Sequence, residues 1–398
     1  SQVSTTATYT FAVNGNRTLE ARFATNITIA FTRNSVAYTS DGTQVAANQP
    51  RFEQGRFGQA IFIEEGTTNL LTAEQSSVET NLEGLGGRRA PELERDLTTA
   101  WHGDASLRGV KHKEFSISTS KEKTPITAGV PYTGSVYTKS SAPQSQLFIL
   151  YWHPGNISAS TSVDFTTEWR RAMVSGIAPL KATESYLELY SNGDYTIWWD
   201  GAQLEAKPYA TSWTLGGTTR AQETLSISPV SSILTPQQGT IDVWVYVPDF
   251  WKPGIPNSRR IWSIGTDAAV GLYWFGYNPA VDRMEFSIYK DATIANTIYV
   301  DKPAVGWHLF TVRWSASEMS LWIDGVKKGS KTSPSLPTSF ASTNLTIGCR
   351  SDSPYDNVNT LIDDFRVSNR ARTDAEIQTL YQSNQPAPKD ADTTLKLT

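Results

Sequence analysis

Between Gly306 and Val326 the chain reads GWHLFTVRWSASEMSLWIDGV, and no other stretch restricts the fold as much. Apolar and polar residues alternate through His308, Leu309, Phe310, Thr311, Val312, Arg313 and Trp314, break at Ser315 to Ser317, and resume through Met319, Leu321 and Ile323. A period of two sends successive side chains to opposite faces, so the stretch predicts an antiparallel hairpin with one buried face. Asp324 and Gly325 supply the next turn, because glycine reaches positive φ without the clash of a Cβ. Three strands in series make a sheet.

Composition agrees with a sheet protein. Aromatic residues make up 11% of the 398, with 13 Trp, 27 Gly and 20 Pro, which suits β-sandwiches better than helix bundles. The length predicts two or three domains. There is no run of about 18 apolar residues, and neither terminus reads as a signal peptide. The chain starts without Met and is expected to be a piece of something longer. A net charge of −4 offers no basic field for nucleic acid and gives an anionic membrane no attraction. Cys349 stands alone, which rules out an internal disulfide framework; it reads as a small buried apolar residue. A surface-type protein without disulfides fits a bacterial or phage origin.

The hairpin motif W-H-x-x-x-V-x-W followed by L-W-I-D-G-V, together with IDDFRVSNRARTDAEI at Ile362 to Ile377, resembles the laminin-G/concanavalin-A-like jelly roll. The resemblance spans Gly239 to Gln382 and implies a two-sheet sandwich used more often for binding than for chemistry. Within it, Asp374 to Tyr381 reads as the one good helix, with Thr373 as N-cap and Glu376 three residues on completing a capping box.

Upstream, strands are expected at Val110–Ser118, Pro131–Lys139, Gln146–Trp152, Ser162–Phe165, Arg170–Ser175, Ser185–Tyr190 and Thr196–Leu204, spaced by turn residues as in a second sandwich. GVPYTGSVYTK (Gly129 to Lys139), TTEWRR (Thr166 to Arg171) and WWDGAQLE (Trp198 to Glu205) are similar to the family 4/9-type carbohydrate-binding jelly roll. TTNLL before it and YATSWTLGGTTRAQETLSI (Tyr209 to Ile227) after it resemble the version found in phage tail and virion surface proteins. Residues 74–100 read as a long loop, with a short helix around Leu82 to Leu97. At the N-terminus, alternating runs joined by Asn14–Gly15 make a hairpin signal, and YTFAVNGNRTLEARFA resembles the closing hairpin of a bacterial surface B-repeat.

The expected fold is therefore all-β: two tandem antiparallel β-sandwiches, both jelly rolls, with one short helix near the C-terminus. The division is 1–24 as the end of an upstream repeat, 25–228 as the carbohydrate-binding-type sandwich, 229–238 as linker, 239–385 as the laminin-G-like sandwich, and 386–398 as a tail or the start of a further domain.

Catalytic signals are missing. His102, His112, His153 and His308 have no metal-ligand spacing, and there is no nucleophile elbow, Walker motif or dinucleotide glycine motif. Glycosidases of the concanavalin type carry E-x-D-x-x-E on one strand; Glu94-Arg-Asp96-Leu-Thr-Thr99 lacks the last acid. Sugars are bound by aromatic faces plus polar hydrogen bonds, and the candidates are Tyr151, Trp152, Tyr190, Tyr195, Trp198 and Trp199. Neighbouring tryptophans face opposite sides of a strand, so at most one of Trp198 and Trp199 faces the core. Trp251, Tyr273, Trp274, Phe275 and Tyr277 crowd near loops of the second sandwich, whereas Trp307 and Trp314 are assigned to its core. The two resemblances imply a structural Ca2+, for which Asp200, Glu205, Asp352, Asp356 and Asp364 are the available ligands; a solvated turn is the competing role of each acid. The function expected is a non-enzymatic surface or tail-fibre-type protein of a phage virion, binding glycans weakly and multivalently. Its partners would be a polysaccharide or glycan, other virion or surface proteins and a homo-oligomer, with no nucleic acid and no membrane. The alternatives are the non-catalytic region of a secreted bacterial polysaccharide-degrading enzyme, or a spacer with no ligand.

Overall fold

A computed structural model describes residues 27–87, 92–111, 115–155, 157–265, 271–292, 295–350 and 356–397. The fold is all-β, with two antiparallel sandwiches, and one is inserted in the sequence of the other. The host sandwich has a seven-stranded sheet in the order Thr28–Thr32, Thr224–Ser228, Leu345–Ile347, Arg259–Ile264, Tyr273–Asn278, Arg283–Tyr289, Ala295–Asp301. Its eight-stranded partner runs Val326–Thr332, Glu318–Ile323, Gly306–Trp314, Gly239–Val247, Thr360–Ser368, Gln59–Ile63, Arg51–Gln54, and Thr393–Leu397 also pairs with Thr360–Ser368.

The alternating stretch at Gly306 sits near the middle of that sheet, paired with Gly239–Val247 on one side and Glu318–Ile323 on the other. Phe310, Val312 and Trp314 point into the core between the sheets, where Trp314 is fully buried against Tyr273. Trp251, Tyr273, Phe275 and Tyr277 are buried in the same core, and Trp274 lies under the Arg260 guanidinium. Trp307 is half-buried on the outer face, beside a satellite cluster of Trp244, Leu309, Leu380 and Ala387. Leu380 comes from the helix Asp374–Ser383, whose capping box forms as expected: Thr373 Oγ1 accepts from the Glu376 amide and the Glu376 carboxylate accepts from the Thr373 amide.

Sheet membership differs from the expected division. Thr28–Thr32, Arg51–Gln54, Gln59–Ile63 and Thr224–Ser228, placed by sequence in the 25–228 unit, pair into the host sandwich. The expected linker at 229–238 contributes Val230, Ile233 and Leu234 to the host core, and Thr393–Leu397 is a host strand rather than the start of something new. These strands are short, and Thr28–Thr32, Gln59–Ile63 and Thr224–Ser228 must pair with strands more than a hundred residues away, which local alternation cannot reveal. Residues 1–24, the expected repeat, lie outside the described residues.

The chain leaves the host after Ile63 and re-enters it at Thr224. Thr67–Thr68 pairs with Thr219–Arg220 to form a two-stranded neck. Between these lies the inserted sandwich. One sheet has the order Thr124–Pro125, Glu184–Ser191, Gln144–His153, Ile157–Phe165, with Phe115–Ser118 also on Glu184–Ser191; the other runs Arg170–Ile177, Pro131–Ser140, Tyr195–Glu205, Ser106–Lys111, Glu92–Asp96. The seven strands expected between Val110 and Leu204 are present within a few residues, except that the first is split into Ser106–Lys111 and Phe115–Ser118. The helix expected around Leu82 to Leu97 is not; Glu92–Asp96 is an edge strand.

The root of the neck is a buried ion cluster. Arg33 and Arg51 each reach Glu223 at 2.8 Å, Arg51 also reaches Glu64 at 2.8 Å, and Arg220 lies 3.1 Å from Glu64. All five side chains are essentially without solvent contact. Ser212, from the far end of the insertion, donates its amide to Glu64 and its hydroxyl accepts from Arg51. Beside it an aromatic cluster joins the units: Tyr38 of the host packs on Trp213 at 4.5 Å, and Trp101 stacks on Tyr137 at 3.5 Å.

Candidate functional site

In Gln144–His153 the even residues Phe148, Leu150 and Trp152 enter the core of the insertion, so Leu147, Ile149 and Tyr151 line the outer face. On the neighbouring Glu184–Ser191, Leu187 and Leu189 go inward and Tyr186, Glu188 and Tyr190 outward. The register sets Tyr151 opposite Tyr186, Ile149 opposite Glu188, and Leu147 opposite Tyr190. Tyr151 and Tyr186 stack with ring centroids 4.7 Å apart at 16°. On the flanks are Ser158, Ser160 and Ser162 on one side, and Ser116 and Ser118 on the other. Tyr151 and Tyr190 are half-buried, while Glu188 is only 2% exposed at the centre. Tyr186, Ser116 and Ser118 are buried, whereas Ser158, Ser160 and Ser162 are exposed, and Glu184 and Asp164 lie on the same face. Half-buried rings beside exposed hydroxyls offer what a sugar needs, rings for its C–H faces and oxygens for its hydroxyls.

The six aromatic candidates thus separate. Tyr151 and Tyr190 share this face. Trp152, at 2% exposure, and Trp199, at 0%, are core residues packed on Tyr132 and Phe148 and cannot meet a ligand as folded. Trp198 lies half-buried on the outer face of the other sheet, and Tyr195, also half-buried, closes over Gly193, where a Cβ would meet its ring at 2.3 Å. Sequence reasoning missed Tyr186 and Glu188. Their signal was present in the alternation of Ser185–Tyr190, which puts Tyr186, Glu188 and Tyr190 on one side once Leu187 and Leu189 are taken as core.

The four described acids among the expected calcium ligands are engaged by groups of the protein itself. Asp200 accepts the amides of Trp101, His102 and Gly201, and burial pushes its carboxyl up to about 7 against those donors. Glu205 accepts from Thr67, Gln203 and twice from Thr211. Asp356 stands 3.5 Å from both Arg260 and Arg350. Asp364 takes the Ala387 amide and lies 3.4 Å from Lys396. Asp352 lies outside the described residues. Among the described residues no three His, Cys, Asp or Glu side chains gather as a metal site. No described helix is long and apolar enough to cross a membrane.

A cleft of about 470 Å³ opens between the host sheets at their Thr28–Thr32 and Arg51–Gln54 edges, lined by Phe31, Phe52, Ile61 and Leu225. At the opposite side the strands close up, and a Cβ on Gly329 would lie 2.7 Å from Ile298 and 3.1 Å from Val300. Asp363 and Asp364 both border the cleft, since a register shift between Asp242 and Trp244 interrupts the alternation that would have separated them.

Residues 219–378 match the concanavalin A-like lectin/glucanases superfamily. The match begins at the neck strand Thr219–Arg220 and covers the host sandwich after the insertion, less than half of the chain. A search of curated proteins finds no match. Among solved structures the chain is similar to a family 16 carbohydrate-binding module, at 16% identity over 34% of this chain and 99% of that one, with a TM-score of 0.29. It is also similar to the receptor-binding domain of a botulinum neurotoxin C/D mosaic serotype, at 13% identity over 40% of each chain and a TM-score of 0.33. A third is a botulinum neurotoxin type C structure described by its dependence on two ganglioside molecules for cell entry, at 16% identity over 41% of each chain and 0.34. The chain spans about two fifths of the toxin chains' length.

Proposed function

We propose that this chain is a non-enzymatic glycan-binding module displayed on the surface of a phage virion, working through the outer face of Gln144–His153 and Glu184–Ser191. The observation that carries the reading is the tyrosine face: Tyr151, Tyr186 and Tyr190 around the buried Glu188. An antiparallel sheet can leave one face to solvent, and aromatic rings there cost solubility unless something covers them. Hydrolysis needs two carboxylates flanking the bond. Glu188 at the centre of this face is only 2% exposed, and Glu184 and Asp164 lie on the same face at strand ends, so the non-enzymatic reading rests on the sequence, which carries no E-x-D-x-x-E strand.

The virion setting is supported by the sequence frame around the insertion. TTNLL and the run after Tyr209, which resemble the phage surface version, supply the neck and the junction: Asn69 bonds Ser76, Ala202 and Thr214, and Tyr209 accepts from Arg259. A rigid joint between two sandwiches suits a fibre. A single small aromatic face binds weakly, and many copies on a particle make weak sites useful through effective concentration.

The test is a glycan and cell-wall array probed with the chain fused to a multimerising scaffold. Wild type is expected to be retained on particular glycans, and the Tyr151→Ala/Tyr190→Ala variant to lose that retention while unfolding at the same temperature. No retention of wild type favours a spacer without ligand, and equal retention of the variant places the binding elsewhere than on the tyrosine face.

A further inference from the structure

The opposite outer face of the insertion carries a second feature. Lys139 on Pro131–Ser140 lies opposite Trp198 on Tyr195–Glu205, which in turn lies opposite Arg108 on Ser106–Lys111. The Lys139 ammonium sits 4.9 Å from the centre of the Trp198 ring and 5.6 Å from that of Trp169, between two half-buried indoles. One row on, Arg171 covers the Tyr137 ring at 5.5 Å. The cations of this strip differ in their partners. Arg108 is paired with Glu94, whereas Lys139 donates to the hydroxyl of Thr99 at 3.0 Å and Arg171 to that of Ser135 at 2.8 Å. The nearby Asp96 is committed to Thr98 and to the Trp198 indole N–H at 2.8 Å. Two half-buried cations held on neutral hydroxyls, with half-buried indoles beside Lys139 and the buried Tyr137 ring under Arg171, are complementary to a ligand with flat C–H faces and regularly spaced negative charge.

We propose that Trp169, Lys139 and Trp198, with Arg171 beside them, form a second saccharide site that takes a stretch of acidic polysaccharide. The indoles stack on sugar rings, and the ammonium and guanidinium hold the carboxylates between them. This site shares no residue with the tyrosine face and does not depend on it. The net charge of −4 opposes general attraction to polyanions, so binding of one has to come from a local arrangement such as this.

The experiment is affinity electrophoresis of the full chain in gels containing polygalacturonate, alginate or hyaluronate, with fully methyl-esterified polygalacturonate as the uncharged control on the same backbone. Wild type is expected to be retarded by at least one acidic polymer and not by the ester. Lys139→Met, which keeps the packing between the indoles but removes the charge, should weaken that interaction about tenfold, the loss of a charged hydrogen bond. Trp198→Ala should abolish it, and Tyr151→Ala/Tyr190→Ala should leave it unchanged. Absence of retardation by all three acidic polymers, equal retardation by the ester, or a Lys139→Met variant that binds like wild type overturns the proposal.

Discussion

Trp198 and Trp199 are neighbours with opposite fates. Alternation in the sequence separates them but does not say which faces the core, because the strand changes parity: Ile197 and Trp199 point inward, then Ala202 and Leu204 do, with Gly201 at φ 54° absorbing the extra residue. That bulge also turns Gln203 and Glu205 outward toward the junction. Trp199→Ala is expected to destabilise the insertion by about 3–5 kcal/mol through lost burial and a cavity; Trp198→Ala should cost much less, a contrast that denaturant unfolding of the two variants measures. The junction charges were illegible for another reason: Arg33, Arg51, Glu64, Arg220 and Glu223 read as ordinary surface residues until distant segments meet. Burial alone would push the Glu64 carboxyl up, but Arg220 and Arg51 with the Ser212 amide hold it at about 2. A carboxyl lowered on folding stabilises the protein above its unfolded value near 4.5 and loses that contribution as pH falls toward 2, a contribution of about 3 kcal/mol. Stability measured between pH 6 and pH 2 should therefore fall more steeply in wild type than in Glu64→Gln, which has already lost the interaction at neutral pH.

At the scale of elements, strongly patterned pieces were readable. The hairpin at Gly306, the strands from Pro131 to Glu205 and the capped helix at Asp374 all carry their signal within a dozen residues. Edge strands of two to five residues were not, since Thr28–Thr32 or Arg51–Gln54 is specified by its partners rather than by itself. The central hairpin depends on one glycine outside it: a Cβ on Gly239 would lie 2.4 Å from the Trp314 ring and 2.9 Å from Leu234. Gly239→Ala should thus destabilise the host by about 1–3 kcal/mol, as overpacking does, and thermal unfolding is the check. Thr373→Ala removes the helix cap and should cost about 1 kcal/mol in the same measurement.

For the whole molecule, nesting decides what can be cut. A fragment Gln238–Gln385, a natural choice from the sequence, lacks Thr28–Thr32, Arg51–Gln54, Gln59–Ile63, Thr224–Ser228 and Thr393–Leu397. It should fail to unfold cooperatively, whereas a fragment 66–220 retains both sheets of the insertion and should do so; calorimetry of both decides. The tyrosine face belongs wholly to that insertion and points away from its core, so its role can be read directly. The decisive measurement is amide hydrogen exchange of the full chain with and without a glycan retained on the array. Slowed exchange along Gln144–His153 and Glu184–Ser191, with the host sandwich unchanged, is the expected result. Slowed exchange confined to the host sandwich or to the Lys139 strip contradicts glycan binding at the tyrosine face.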